Sequence, residues 1–506
     1  MTGRRRTSTT PPVHPPRTGT RLSTKVRTRV LFAGAVAACA SIAVECGAIP
    51  GVTGGSGDDP ITVMTWAPQD TPATNKPGMP AMAEAYARWV NANGGINGHK
   101  LRVLTCNDHN DTVYAAKCAR RAADENAVAV VGSYSQHGRS FLAPLEAAGI
   151  PYIGGYGVTD DEFSSPLSYP INGGEPALLA GLGQQLGSKC GPVALVRPDT
   201  VAGDQLPVLL NAALKGQGHA AATDQRAAEE ATEYSGQTKV ALEHATSDPL
   251  KQGCVVSALG DRTETFMDSF RRDRQDYPKV GTGTVLGSLD QSLIDSTGGP
   301  SSPYEGAHVT GWYPVASDAR WNPMRKVIKE QAFGDNRIDP ADAGVQTTWI
   351  AYNVFKSVVE SLGDSKVTSL AIRQALDNGL KVTTGRLTPT LSWRYEDLIA
   401  AVDFPRLVNA HVTFQVVRKG LLTSDRNGFI DVSKTLENAD ANRDADADRA
   451  VTAGSSCAAS VRTSRRSSST AWRPSPSARS RCRWPGWPPR SGRCCGRGPS
   501  CSPSCP

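Results

Sequence analysis

The sequence predicts an α/β fold made of two doubly wound lobes, each built on a parallel sheet. The chain of 506 residues, 39% of them hydrophobic, exceeds one ordinary domain and can bury a sizeable core. Apolar, strand-like runs also alternate with helical segments in two separate series. This βαβα order is typical of parallel, doubly wound sheets.

The first series begins at Ile61 and supplies the first lobe. Its predicted strands are ITVMTW, LRVLTC, AVAVVG and PYIGG, separated by helices over 79–93, 112–125 and 139–148. The second series begins near Gly174 with a helix to Leu186. It continues with the strands PVALV, CVVSAL and KVGTGTVLG and with helices over 204–214, 235–246 and 263–274. Helices over 318–333 and 342–361 and the strand HVTFQVV are expected to complete the lobes.

The segment around residues 79–103 is the most informative. Apolar side chains recur at helical spacing and form one buried stripe: Met79, Met82, Tyr86, Trp89 and Val90. The following Asn-Gly-Gly stops the helix, and Asn97-Gly98 turns the chain into the next strand.

The amino-acid sequence of this turn, NANGGINGHKL, resembles the signature of type I solute-binding proteins, the branched-chain amino-acid-binding family of ABC importers. The resemblance extends over about residues 60–430. It implies two lobes joined by a hinge that the chain crosses repeatedly, so that the domains are discontinuous. We therefore expect lobe 1 to comprise 61–173 plus part of 304–350, and lobe 2 to comprise 174–303 plus part of 351–435.

The two ends of the chain differ from its middle. Residues 1–29 carry eight Lys or Arg and residues 450–506 carry ten Arg, in both cases without an acid. Removing these 18 charges from the net +7 leaves about −11 for residues 30–449. The globular part is acidic, so the basic pI does not indicate nucleic-acid binding.

Residues 1–46 have the parts of an export signal, in which a basic segment precedes an apolar run from Val30 to Val44. A cysteine after small residues is the lipidation point of bacterial lipoproteins. Cys46 is the favoured candidate and Cys39 the alternative, since a Gly-rich tether over 47–60 follows Cys46. A lipid-anchored protein on the outer face of the cytoplasmic membrane is expected, with simple secretion left open.

The C-terminal segment, 436–506, is rich in Arg, Ser, Pro and Gly. It contains six of the twelve cysteines, in spacings that match no zinc pattern. This composition predicts disorder, and a frameshifted end is the preferred interpretation. No function is assigned to it.

Four cysteines lie in the globular part, and export makes disulfides possible. Cys106 ends a predicted strand and Cys118 lies in the following helix, so a local bridge is predicted between them. Cys190 and Cys254 each precede an apolar strand, and these strands would be sheet neighbours. A second bridge is predicted there, with free thiols as the alternative.

Two loops of lobe 1 are candidates for ligand contact. GSYSQHG follows a strand and precedes a helix, where anions are favoured, and its candidate residues are Ser133, Tyr134 and Ser135. Helix capping by Ser135 is the alternative, and a nucleophile elbow is disfavoured because residue 137 is His where G-x-S-x-G needs Gly. The resemblance implies that Ser135 binds a carboxylate.

The second loop, GGYGVTDDEF, contains Tyr156, which can stack on a ligand. The resemblance implies contacts near Gly157 and Thr159, while a plain Gly-rich turn is the alternative. Trp66, at the end of the first strand, is predicted either as a wall of the cleft or as core.

The second lobe departs from the family pattern. Amino-acid binders use a tyrosine and an acid from this lobe, and the corresponding positions are Ala202 and Leu286. Asp199, Asp261 or Asp290 can substitute as cation partners, or act as helix caps and loop acids. The ligand is therefore expected to differ from a standard α-amino acid.

No paired acid and base, catalytic triad, phosphate loop or nucleotide fingerprint is present in the sequence, so an enzyme and a cofactor are not predicted. A metal site at NDHND, 107–111, competes with helix capping by Asp111 and is disfavoured. We expect an ABC importer's receptor that closes around a small polar solute, such as an amino acid or amide, and hands it to the permease subunits. A sensor that signals to a partner protein is the alternative.

Overall fold

A computed structural model describes residues 59–439 apart from 73, 201, 229–230 and 278–279. The predicted signal with Cys39 and Cys46, and most of the tether and tail, lie outside these residues. Within residues 59–439, none of the helices is both long and apolar enough to cross a bilayer.

Lobe 1 is built on a parallel sheet of five strands in the order β2-β1-β3-β4-β5. The strands are β1 (Ile61–Trp66), β2 (Leu101–Cys106), β3 (Ala129–Val131), β4 (Tyr152–Ile153) and β5 (Ser168–Tyr169). The helices between them are α1 (Gly78–Ala92), α2 (Thr112–Asp124), α3 (Gly138–Ala148) and the short α4 (Asp161–Ser164). The predicted alternation of strands and helices is therefore confirmed.

Lobe 2 begins with α5 (Gly174–Gly187) and is built on a larger, mixed sheet. Its next elements are β6 (Val193–Pro198), α6 (Leu206–Gly216), β7 (Thr223–Ala227), α7 (Ser235–Ala245), β8 (Cys254–Ser257), α8 (Thr263–Asp273), β9 (Gly281–Val285), α9 (Gln291–Ser296) and β10 (His308–Gly311). Strands β6 to β10 run parallel in the order β10-β9-β8-β6-β7.

The chain then returns to lobe 1 for three helices, α10 (Asn322–Gln331), α11 (Ala343–Ser361) and α12 (Ser369–Asp377). The predicted boundary at 350/351 is wrong, because it falls inside α11 and both halves of that helix pack on lobe 1. The Thr348 hydroxyl donates to the Gly132 carbonyl at 3.0 Å. Ala351 packs directly on Gly154: a Cβ added to Gly154 would lie 2.4 Å from the Cβ of Ala351.

The last elements complete lobe 2 and are β11 (His411–Arg418), β12 (Leu421–Ser424), β13 (Ile430–Asp431) and α13 (Ser433–Glu437). Strand β11 pairs antiparallel with β10, and β12 and β13 pair antiparallel with β11. Leu436 and Ala439 are buried. The folded lobe therefore extends past the predicted start of the tail at 436.

Three chain crossings form the hinge, near residues 170–173, 312–318 and 405–410. They are joined by buried hydrogen bonds. The Asn172 side-chain amide donates to the Tyr313 hydroxyl at 2.9 Å, which lies 3.0 Å from the Thr347 hydroxyl. The Asn409 amide donates to the Ile171 carbonyl at 2.9 Å. Such satisfied polar contacts hold the three crossing segments together.

Both predicted disulfides are present. Cys106 and Cys118 join the end of β2 to α2, with 5.8 Å between their Cα atoms. Cys190 and Cys254 lie 5.7 Å apart by Cα and pin the starts of β6 and β8, which are neighbours in the sheet as expected.

Candidate ligand-binding cleft

A cavity of about 380 Å³, called the cleft below, lies between the lobes. Its lining comes from loops at the carboxyl ends of β3, β4, β6, β8, β9 and β10, the edge where open α/β sheets bind ligands. Lobe 1 contributes Thr74, Lys76, Tyr134, Gln136, His137, Tyr156, Val158 and Thr159. Lobe 2 contributes Glu175, Leu178, Pro198, Thr200, Gly203, Leu206, Ala258, Leu259, Gly260, Val285, Leu286, Gly287, Ser288 and Trp312.

Three aromatic side chains form one wall. Tyr156 makes edge-to-face contacts with Tyr134 and with Trp312, each with 5.0 Å between ring centroids. The Trp312 indole N–H donates to the Gly174 carbonyl at 2.8 Å, which holds this ring in place. The wall offers apolar and quadrupolar surface to a flat or aliphatic ligand.

Tyr156 also joins the lobes. Its hydroxyl packs against the backbone of Gly287, where a Cβ would lie only 2.2 Å from the hydroxyl oxygen. The Arg262 guanidinium, from lobe 2, donates to the Pro72 carbonyl of lobe 1 at 2.6 Å. These contacts require the lobes to be close together, so the structure corresponds to a closed arrangement.

The loop that carries Tyr156 is held from behind by Glu162, a buried side chain. Its carboxylate accepts hydrogen bonds from the backbone N–H groups of Gly157, Val158 and Thr159, at 3.1, 3.0 and 3.2 Å. Burial raises the pKa of Glu162 to about 7, even though these hydrogen bonds favour the ionised form. Glu162 therefore sets the shape of the loop without reaching the cleft lining.

The predicted serines face away from the cleft. The Ser133 hydroxyl accepts from the Trp66 backbone N–H at 3.1 Å, and the Ser135 hydroxyl accepts from the His137 backbone N–H at 3.2 Å. Both serines are buried and absent from the cleft lining. The same loop instead presents Tyr134, Gln136 and His137 to the cleft.

Trp66 is a core residue in the structure rather than a cleft wall. It is fully buried in a cluster with Phe141 and Tyr152, at ring-centroid distances of 5.3 and 6.1 Å. Of the two alternatives left open for Trp66, wall or core, the structure shows the core.

The lobe 2 acids are also not brought to the cleft. Asp199 is exposed and lies 3.6 Å from Arg226, while Asp290 caps α9 by accepting from the Leu293 backbone N–H at 2.9 Å. The side chain of Asp261 lies outside the described part of the chain. Of the remaining predicted residues, Tyr134, Tyr156 and Thr159 line the cleft and Gly157 lies just behind it.

The ionised groups on the lining come from positions that the sequence analysis missed. Lys76 is only 8% exposed; its ammonium lies 3.7 Å from Asp342 and 6.0 Å from the Tyr156 ring centroid. Glu175 lies in the first turn of α5, and burial, together with the nearby charge of Asp160, raises its pKa to about 7. The two residues are distant in sequence, so only the fold brings them together.

His137 contributes an available polar atom. Its Nδ1 lies 3.3 Å from the Thr112 hydroxyl, while its Nε2 is buried and has no hydrogen-bond partner among the described residues. A buried polar atom without a partner is destabilising unless a ligand or water satisfies it. His137 Nε2 is thus a candidate ligand contact.

The NDHND loop acts as a helix cap. The Asp111 carboxylate accepts from the backbone N–H groups of Val113 and Tyr114, at 2.8 and 3.1 Å. Among residues 59–439 no group of three or more His, Cys, Asp or Glu side chains is arranged to hold a metal ion.

Solved structures share this architecture. A substrate-binding periplasmic protein from Ralstonia solanacearum is 15% identical with a TM-score of 0.58, and the match covers 72% of this chain and 100% of that one. An ABC-transporter solute-binding protein from Rhodopseudomonas palustris HaA2, in complex with p-hydroxybenzoic acid, is 12% identical with a TM-score of 0.60, covering 74% and 98%. A fatty acid ABC transporter substrate-binding protein from Thermomonospora curvata is 14% identical with a TM-score of 0.60, covering 76% and 95%.

At these identities the structures establish the fold alone, and no curated protein sequence matches the chain significantly. The family itself is identified from the sequence. The profile of the periplasmic binding protein family matches residues 68–402, most of the chain. The chain therefore belongs to the periplasmic binding protein family, as a type I solute-binding receptor that acts outside the cytoplasm and is not an enzyme.

Proposed function

We propose that the protein is the receptor of an ABC importer, which closes its lobes around an organic acid and delivers it to the permease subunits in the membrane. The observation that carries the proposal is the cleft, lined from both lobes and bridged by Tyr156 against Gly287. Ligand contacts made from both lobes at once favour the closed state, which a permease can recognise.

The lining favours an amphipathic acid over the small polar solute expected from the sequence. Most lining side chains are apolar or aromatic, and Glu175 is the one carboxylate among the described residues of the lining. The ammonium of an α-amino acid would need an acid from the lobe 2 loops, but Asp199 and Asp290 lie elsewhere. An apolar or aromatic body suits the Tyr134, Tyr156 and Trp312 wall.

A carboxylate suits the lobe 1 side of the cleft. The unpartnered His137 Nε2 can donate to it, and the Lys76 ammonium supplies positive charge in a site of low exposure. The Rhodopseudomonas palustris protein in complex with p-hydroxybenzoic acid and the fatty acid ABC transporter substrate-binding protein from Thermomonospora curvata support this class, since p-hydroxybenzoic acid and fatty acids are carboxylic acids.

A thermal-shift panel tests the proposal, since a ligand that binds only the native state raises the melting temperature. The panel contains benzoate, 4-hydroxybenzoate, hexanoate and octanoate, with leucine, glutamine and glucose as other classes. A saturable rise with a carboxylate, lost in Tyr156→Ala, is expected. Tyr395→Ala is the matched control, because Tyr395 is 86% exposed and remote from the lining. A shift with glucose or leucine alone would contradict the proposed class.

We also propose attachment to the membrane by a lipid at Cys46, with Cys39 as the alternative. Support comes from the apolar run that leads to both cysteines, from the Gly-rich tether that follows Cys46 and from the small residues directly before Cys39. Incorporation of labelled palmitate into the wild type, lost in Cys46→Ala and kept in Cys39→Ala, is expected. Labelling kept in both single variants would contradict a single lipid anchor at either position.

A further inference from the structure

A second cavity of about 260 Å³, called the side cavity below, lies next to the cleft. Five residues line both spaces: Gln136, Val158, Thr159, Glu175 and Leu206. The two cavities therefore adjoin one another at these residues.

Glu175 lies at the junction of the two cavities. No described residue forms a hydrogen bond or an ion pair with its carboxylate, while its backbone N–H donates to the Gly157 carbonyl at 2.8 Å. The side chain is partly buried, so its carboxylate is less well hydrated than one on the open surface, and a bound donor would compensate for this. The geometry thus leaves a place for a cationic group of the ligand.

The side cavity is apolar with acidic edges. Its own lining adds Pro176, Leu209 and Phe404, together with Asp160 and Asp161. No Lys, Arg or His is among its described lining residues, although the exposed Arg139 lies 3.8 Å from Asp161. The cleft, by contrast, is lined by Lys76 and His137, neither of which reaches the side cavity.

We propose that Glu175 binds an ammonium or guanidinium group of an elongated ligand, whose carboxylate lies on the Lys76 and His137 side of the cleft. This rests on the proposed function and narrows its solute class to ω-amino carboxylates and related acids with a basic group distant from the carboxylate. The apolar walls around Leu206 and Phe404 hold the chain between the two charged ends.

Proton linkage follows from the same geometry. Burial and the charge of Asp160 raise the pKa of Glu175 to about 7, and Asp161, His137 and Lys76 are the other ionisable or charged groups on the two linings apart from the tyrosines. A bound ammonium favours the ionised carboxylate, so binding near pH 6.5 releases a proton. Affinity for an amine-bearing ligand therefore rises as the pH increases through about 7.

Calorimetric titration with hexanoate and 6-aminohexanoate tests the assignment in the purified protein. At pH 8 the amino acid is expected to bind about tenfold more tightly than hexanoate, because it adds a charge-assisted hydrogen bond. Glu175→Gln is expected to remove this advantage, so that hexanoate and 6-aminohexanoate bind this variant with similar affinity. Glu243→Gln, an exposed carboxylate on α7, serves as the matched control and leaves both affinities unchanged.

The outcomes separate the two proposals. Equal binding of hexanoate and 6-aminohexanoate, or an advantage that survives in Glu175→Gln, would overturn the role of Glu175 while the organic-acid receptor stands. Hexanoate binding in Glu175→Gln shows that the variant is folded. Failure of both probes and of the benzoates to bind the folded wild type would overturn both proposals.

Discussion

Substitution of Gly287 by alanine is expected to open the protein. Gly287 has a φ of 95°, and an added Cβ would lie 2.2 Å from the Tyr156 hydroxyl, well inside van der Waals contact. The backbone strain, about 1–2 kcal/mol, is present in open and closed states alike. The collision involves the other lobe, so it destabilises only the closed state, by about 1–3 kcal/mol as for overpacked cores.

That penalty shifts the closing equilibrium about 5- to 150-fold toward the open state. Small-angle scattering without ligand should show a larger radius of gyration for Gly287→Ala than for the wild type. Gly306→Ala is the control for strain, because Gly306 has a φ of 82° but open space where its Cβ would lie. Gly306→Ala is expected to unfold at a lower urea concentration than the wild type and to keep the wild-type radius of gyration.

The double variant Gly287→Ala/Tyr156→Phe provides the decisive comparison. Removing the hydroxyl relieves the collision, since the nearest ring carbon lies at an ordinary 3.4 Å from the added Cβ. The double variant should scatter like Tyr156→Phe alone. The reasoning is refuted if Gly287→Ala is as compact as Gly306→Ala, or if Tyr156→Phe does not restore compactness.

Three further substitutions test the structure elsewhere. Trp66→Phe should lower the free energy of unfolding by about 2 kcal/mol, because it leaves a cavity in the core. Ligand affinity measured by calorimetry should stay unchanged; a loss of affinity would indicate that Trp66 contacts the ligand. Replacing Cys190 and Cys254 together by alanine should lower the unfolding free energy in urea by about 4 kcal/mol, because the bridge closes a loop of 64 residues; no change would argue against the bridge. Glu162 has a folded pKa of about 7, above its unfolded value, so its contribution to the free energy of unfolding should rise by about 3 kcal/mol as pH falls from 8 to 4.5. Urea unfolding at several pH values would contradict this if the unfolding free energy of Glu162→Gln depended on pH as steeply as that of the wild type.

The overall fold was predictable because its strongest signals are local. Buried parallel strands such as Val193–Pro198 read as continuous apolar runs, and the Gly-rich turn after α1 ends that helix unambiguously. Strand β7 was missed because its sequence, TDQRA, is polar. It lies at the edge of the sheet, and two of its five side chains are exposed and only one is buried, so no apolar pattern marks it.

The cleft was predictable only in part. The loops after β3 and β4 were identified by position, and Tyr134, Tyr156 and Thr159 do line the cavity. Ser133 and Ser135 do not line this cavity: residues 134, 136 and 137 face the cleft, whereas the hydroxyls of 133 and 135 bond to the backbone behind it.

Other cleft residues carry no local signal. Lys76 precedes α1, Glu175 begins α5, and Trp312 follows β10, so more than 200 residues of chain separate the first from the last. Their convergence depends on the strand order and on the hinge crossings, which the residue pattern alone does not specify. The apolar character of the cleft is likewise a property of the assembled walls.

Equilibrium binding of 4-hydroxybenzoate and hexanoate, measured by calorimetry in the wild type and in Tyr156→Ala, tests the central claim most directly. Saturable one-site binding of at least one of these acids, abolished in Tyr156→Ala and unchanged in Tyr395→Ala, is the predicted result. Binding that is indifferent to Tyr156, or a folded protein that binds neither acid, would contradict a receptor that closes on an organic acid in this cleft.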